Sequence, residues 1–93
     1  MTHDELMKKW EGLFTDEYGN PSLHCLEIPE SWYPLVDRLC DLITSHLIQN
    51  PNCMPFCVRQ VKEKFGQLRF YCDNSDPYVA GLISMAESYS YLI

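Results

Sequence analysis

Residues 61–71 read VKEKFGQLRFY, and their alternation decides the fold. Apolar and polar side chains change places at every step on both sides of a Phe-Gly-Gln centre, which is the two-residue period of a β-strand. Strands over 58–65 and 68–73 then flank Gly66-Gln67, and a Gly at the first central position suits a two-residue type II′ turn. If Phe65 pairs with Leu68, Glu63 faces Phe70 and Val61 faces Cys72. One side of the ribbon is then apolar apart from Glu63, with Val61, Phe65, Leu68 and Phe70 expected in the core. The other side carries Gln60, Lys62, Lys64, Arg69 and Tyr71. An isolated hairpin is marginal in water, so its apolar side has to rest on helices.

Those helices are legible on either side. Upstream, Leu35, Val36, Leu39, Leu42, Ile43, Leu47 and Ile48 recur at helical spacing, with Ser31 placed to cap and Pro34 in the first turn, where a missing N–H is harmless. This helix is expected to end at Gln49-Asn50-Pro51. Downstream, Asp76 can cap a helix that opens on Pro77 and carries Val79, Leu82, Ile83, Ala86 and Tyr89 or Tyr91. Near the start, Thr2 and Glu5 have capping-box spacing, followed by Leu6, Met7, Trp10, Leu13 and Phe14 over about three turns. Tyr18-Gly19-Asn20-Pro21 should stop that helix. Residues 20–30 read as a loop with a short extended piece at 24–28, and 51–55 as a second loop. The expected architecture is α+β: one domain over 1–93, with three helices packed on an antiparallel β-hairpin or small sheet. An uncapped edge strand would leave a homo-oligomer open.

Charge is segregated along the chain. Arg59, Lys62, Lys64 and Arg69 are four of the 7 Lys/Arg, against one carboxylate, Glu63, in the same stretch. The other carboxylates accompany only Lys8, Lys9 and Arg38, and the net charge is −6. That balance argues against direct nucleic-acid binding, which needs a net positive or strongly segregated surface. No apolar run approaches the length of a membrane span, and Met1 opens a polar stretch rather than a signal peptide. A cytoplasmic protein is expected, with 5 cysteines, an odd number, held as reduced thiols. Cys40 and Cys72 fall at apolar positions. His24, Cys25, Cys53 and Cys57 could be assembled on paper as metal ligands. Cys53 and Cys57 flank Met54-Pro55 with no second paired spacing, so neither metal nor cofactor is expected.

The hairpin string, with the upstream helix Trp32-Tyr33-Pro34-Leu35-Val36-Asp37-Arg38-Leu39-Cys40, resembles a family of small uncharacterised proteins of bacteriophages and prophages. Members show a W-x-x-L-(I/V)-D-x-L-C helix, a V-K-E-K-F-G-x-L-R-F-Y hairpin and an acidic helix, and the resemblance covers roughly residues 31–90. This chain has Gln67 where many members have a second Gly. Many members continue after the last helix into a Cys-x-x-Cys segment that residues 1–93 do not include, so no metal role is expected to transfer. The resemblance implies a phage accessory protein acting in the cytoplasm of the infected bacterial host, with no known activity attached.

Two candidate surfaces follow from the residues. Lys62, Lys64, Arg69 and Tyr71 could hold a nucleotide or another phosphorylated small molecule: Arg as a fork, Lys as point charges, Tyr as a stacking ring. They could equally pair with this chain's own Asp37, Asp41 or Glu87. Asp4, Glu5, Glu11, Asp16 and Glu17, beside Trp10 and Tyr18, form an acidic, aromatic-bearing patch suited to a partner protein such as a host defence or regulatory factor. Glu63 is expected to be exposed at an edge or to partner Arg38. His3, His24 and His46 are scattered, with His46 at the edge of the core, and no catalytic motif is present. The expectation is a non-enzymatic binding protein, an inhibitor of host defence or regulation, with phosphate-ligand binding as the alternative.

Overall fold

The structure, a computed structural model, describes residues 1–22, 25–51 and 55–93. Its elements in chain order are α1 (His3–Lys9), β1 (Leu26–Glu27), a 3-10 turn (Glu30–Trp32), α2 (Tyr33–Gln49), β2 (Cys57–Lys64), β3 (Gln67–Asp73), α3 (Pro77–Tyr89) and a 3-10 turn (Ser90–Leu92). The sheet has the order β1-β2-β3 and is mixed, not purely antiparallel: β1 runs parallel to β2, and β3 antiparallel. The expected α+β class therefore stands, with a third strand supplied by the segment read as an extended piece. Residue 24, the start of that piece, lies outside the described residues, as do 52–54 of the second loop.

The hairpin closes one step earlier than its Gly suggested. Lys64 pairs with Gln67, so the turn residues are Phe65 and Gly66, both at positive φ (55° and 78°). Positive φ at both central positions is the geometry of a type I′ turn, whose twist matches the strands better than alternatives. Val61 consequently faces Phe70, and Glu63 faces Leu68. Each partner has moved by two residues, and a two-residue shift leaves every side chain on its expected face. Phe65 is the exception. It leaves the ladder, and its ring is 84% exposed rather than in the core.

A bulge at Arg59 corrects the alternation at the other end of β2, where Val58 pairs with Cys72 and Gln60 with Tyr71. Strict alternation from Val61 would have turned Arg59 inward. The extra residue sends Arg59 out and places Val58 in the core. Val58 N–H then donates to Leu13 O at 2.7 Å, which ties the N-terminal segment to the free edge of β2.

The helices differ mainly at their ends. Thr2 and Glu5 form the capping box, but α1 stops at Lys9, and irregular turns continue to Phe14. Ser31 does not cap α2; it lies in the 3-10 turn before it, and the N-cap residue, Trp32, makes no side-chain bond. Asp76 caps α3 by accepting from Val79 N at 2.8 Å. Val36, Leu39 and Ile43 of α2 and Val79, Ile83 and Ala86 of α3 join Val58, Val61, Leu68 and Phe70 in one core. Ile48 is exposed, and Ser90 rather than Tyr89 or Tyr91 is buried after α3.

The edge of β3 is not bare. Phe70 N–H donates to Glu87 Oε2 and Leu68 N–H to Ser90 Oγ, each at 3.0 Å. Side chains from the end of α3 and from the 3-10 turn after it thus occupy the donors that another strand would need.

Candidate functional site: the open face of the sheet

With the core on one side of the sheet, the cross-strand pairs Lys62–Arg69 and Gln60–Tyr71 occupy the other, and Lys64–Gln67 ends the ladder beside the turn. Tyr71 and Lys64 are exposed, Lys62 and Arg69 half-buried. Among the described residues none of the three cations makes an ion pair or a side-chain hydrogen bond. Lys64 Nζ lies 5.7 Å from the centroid of the Phe65 ring, a cation–π arrangement at the hairpin tip.

The carboxylates that could have neutralised this face are engaged elsewhere. Asp37 accepts from Trp10 Nε1 at 2.8 Å and sits 2.9 Å from Lys9 Nζ. Burial pushes its carboxyl up, but the bonds from Lys9 and Trp10 outweigh that and hold it below the usual carboxylate range. Asp41 bonds Arg38 at 2.8 Å, and Glu87 covers the β3 edge. Glu27 stands beside Lys62 in the parallel register without closing an ion pair. Glu63 is exposed and Arg38 is not its partner. Arg59 belongs to a different neighbourhood. It is 2.6 Å from Asp73 and 3.9 Å from Asp16, and the Asp73 bond raises its pKa.

Several members of the acidic segment also have local structural partners. Glu5 completes the capping box, and the Thr2 backbone N–H holds its carboxyl low. Asp16 accepts from Asn20 N and Tyr18 N to fix the turn at Gly19, and those bonds lower its pKa. Trp10 is half-buried against Asp37. Asp4, Glu5, Glu11, Glu17 and Tyr18 are exposed.

Other reactive side chains have structural partners. His46 Nε2 is 2.6 Å from Asp76 Oδ2, and its ring stacks on Tyr78 at 4.3 Å, which joins the end of α2 to the start of α3. Cys25, Cys40, Cys57 and Cys72 are free thiols, and burial pushes the Cys40 thiol up to about 12. His24 and Cys53 lie outside the described residues. Among the described residues no three His, Cys, Asp or Glu side chains gather as metal ligands, and no helix is long and apolar enough to cross a membrane.

Phe65 is the feature of this face that sequence reasoning missed. The turn was placed by its glycine, and a bulky aromatic at positive φ goes against local preference. Comparison with protein-family models, curated proteins and solved structures found no match.

Proposed function

We propose that this chain is a non-catalytic binding protein whose open sheet face engages an acidic patch on a partner protein. Lys62, Lys64 and Arg69 supply the charge, with Tyr71 and the protruding Phe65 as aromatic anchors. One observation carries the reading: among the described residues Lys62, Lys64 and Arg69 form no ion pair on the open face, while Asp37, Asp41 and Glu87 are committed elsewhere. Aromatic side chains bring large rigid contact area, and cations on a rim set orientation and association rate. The resemblance to bacteriophage and prophage proteins makes a host defence or regulatory protein the partner to seek, with inhibition as the outcome.

The immobilised protein, exposed to bacterial lysate at low salt, should retain a partner that the combined Lys62→Glu, Lys64→Glu and Arg69→Glu variant loses. Retention should also fall as salt is added. A partner held equally by both forms would sink the sheet-face reading.

A phosphorylated small molecule is the second reading, favoured by Arg69 and Lys62 standing opposite each other with Tyr71 next on the same face. Small ligands usually sit in concave sites. Cavities open between α2 and α3, beside Arg59 and beside Pro55, and Lys62, Lys64 and Arg69 line none of these three. Thermal melts across a nucleotide panel separate the readings, because only the second expects stabilisation that depends on Arg69 and Lys64.

A further inference from the structure

Helix α3 is apolar on two faces, and the core covers one of them. Val79, Ile83 and Ala86 point into the core. One position behind each comes a second row, Tyr78, Leu82 and Met85, which Tyr89 continues. Its spacing of four, three and four residues is the a/d period of helices that pack in pairs. This outer row is largely in solvent: Tyr78 is 57% exposed, Met85 72% and Tyr89 51%. Leu82, Met85 and Tyr89 of this row line a groove of about 220 Å³ together with Leu35, Arg38 and Leu42 of α2.

The groove's charge says what fits it. The only charged side chain within Pro77–Tyr89 is Glu87, which is turned away to the β3 edge. The remaining exposed positions of α3 are uncharged, among them Gly81, Ser84 and Ser88. On the α2 side, Arg38 lies 2.8 Å from Asp41, both largely exposed. A two-fold interface meets its own image, so its charges must be absent or self-complementary. This face meets that condition, because each copy's Arg38 and Asp41 can exchange partners across the axis. Two other surfaces do not. The open sheet face would set three cations against three, and the β3 edge is occupied by Glu87 and Ser90. Copies of a chain with net charge −6 can approach most easily where charge is missing.

We infer that the outer face of α2 and α3 is a homodimer interface, in which a second copy lays its own α3 along the row Tyr78, Leu82, Met85 and Tyr89. His46, stacked on Tyr78, fixes that ring at one end of the row. The inference is independent of the sheet-face reading, and its test uses the protein alone.

Sedimentation velocity over a dilution series should show a dimer of the 10.9 kDa chain. Met85→Glu should raise its dissociation constant at least about tenfold, because a carboxylate would enter an apolar contact. Leu42→Glu, on the facing helix, should do the same. Circular-dichroism melts would establish that each variant is folded, and Met85 is exposed enough for its replacement to leave the core alone. Lys64→Glu should leave the dimer intact, as should salt near 0.5 M, roughly where exposed ion pairs are screened. Wild-type protein that stays monomeric to about 100 µM would overturn the inference. A dimer that survives Met85→Glu and Leu42→Glu, or one that Lys64→Glu abolishes, would also overturn it.

Discussion

Phe65 occupies a position that two local rules advise against. A bulky side chain at a φ of 55° brings Cβ close to backbone oxygen, and its ring is left in water. Asn tolerates that conformation, and Asn-Gly is the favoured pair for a type I′ turn. Phe65→Asn should therefore stabilise the fold by about 1 kcal/mol, which for a domain of this size is roughly 4–8 °C in Tm. The same variant should lose the partner captured by the wild-type sheet face. A lower Tm would mean that the ring contributes packing. Strain retained at a site that folding does not need points to a role outside folding. The three cations were legible as one face because alternation survives a two-residue shift, and that shift is what concealed the ring. Gly66 suits either turn, so nothing local to the string separated the two registers. The pairing of Asp37 with Trp10 and Lys9 was hidden for another reason: those side chains are nearly thirty residues apart and meet only in the fold.

At the scale of elements, the alternation of 61–71 and the caps at Thr2 and Asp76 carried most of the architecture, because each rests on contacts a few residues long. The extended piece at 24–28 was legible, but its parallel pairing as β1 was not. Two residues, Leu26 and Glu27, are too short for a period, and their pairing with Val61 and Lys62 depends on α2 spanning the distance between them. The end of α3 shows the same dependence on tertiary context. Ser90 interrupts an aromatic run, yet it is the buried one, because its hydroxyl accepts from Leu68 N–H and donates to Glu87 O. Ser90→Ala should leave the Leu68 N–H without a partner and lower stability by about 1–3 kcal/mol. Urea unfolding would read this as a lower midpoint at unchanged slope, whereas a wild-type midpoint would show that the bond is dispensable. Uncovering this edge should also promote association between strands, a route to aggregation that the wild type closes.

At the scale of the molecule, one layer of helices lies on one layer of sheet, and the two outer surfaces differ in kind: cations on the strands, an uncharged apolar row on α3. The parallel pairing of β1 with β2 reaches into another property, the order in which the molecule comes apart. Contacts of β2, β3 and α3 join neighbours in the chain, whereas Val61 N–H reaches Cys25 O and Val58 N–H reaches Leu13 O only after a long excursion through α2. Closing that excursion carries the larger loss of chain entropy, so these bonds should form last during folding and open first afterwards. Native-state hydrogen exchange in low denaturant should therefore release the Val58 and Val61 amides through a partial opening. The amides of the β2–β3 ladder should wait for global unfolding. Exchange of both sets at a common free energy would show the sheet to be one cooperative unit. If the N-terminal segment does peel away first, the free edge of β2 is bared for a short time in every molecule. The acidic segment before β1 would then act as a latch, its lifetime setting how often that strand is seen by anything else in solution.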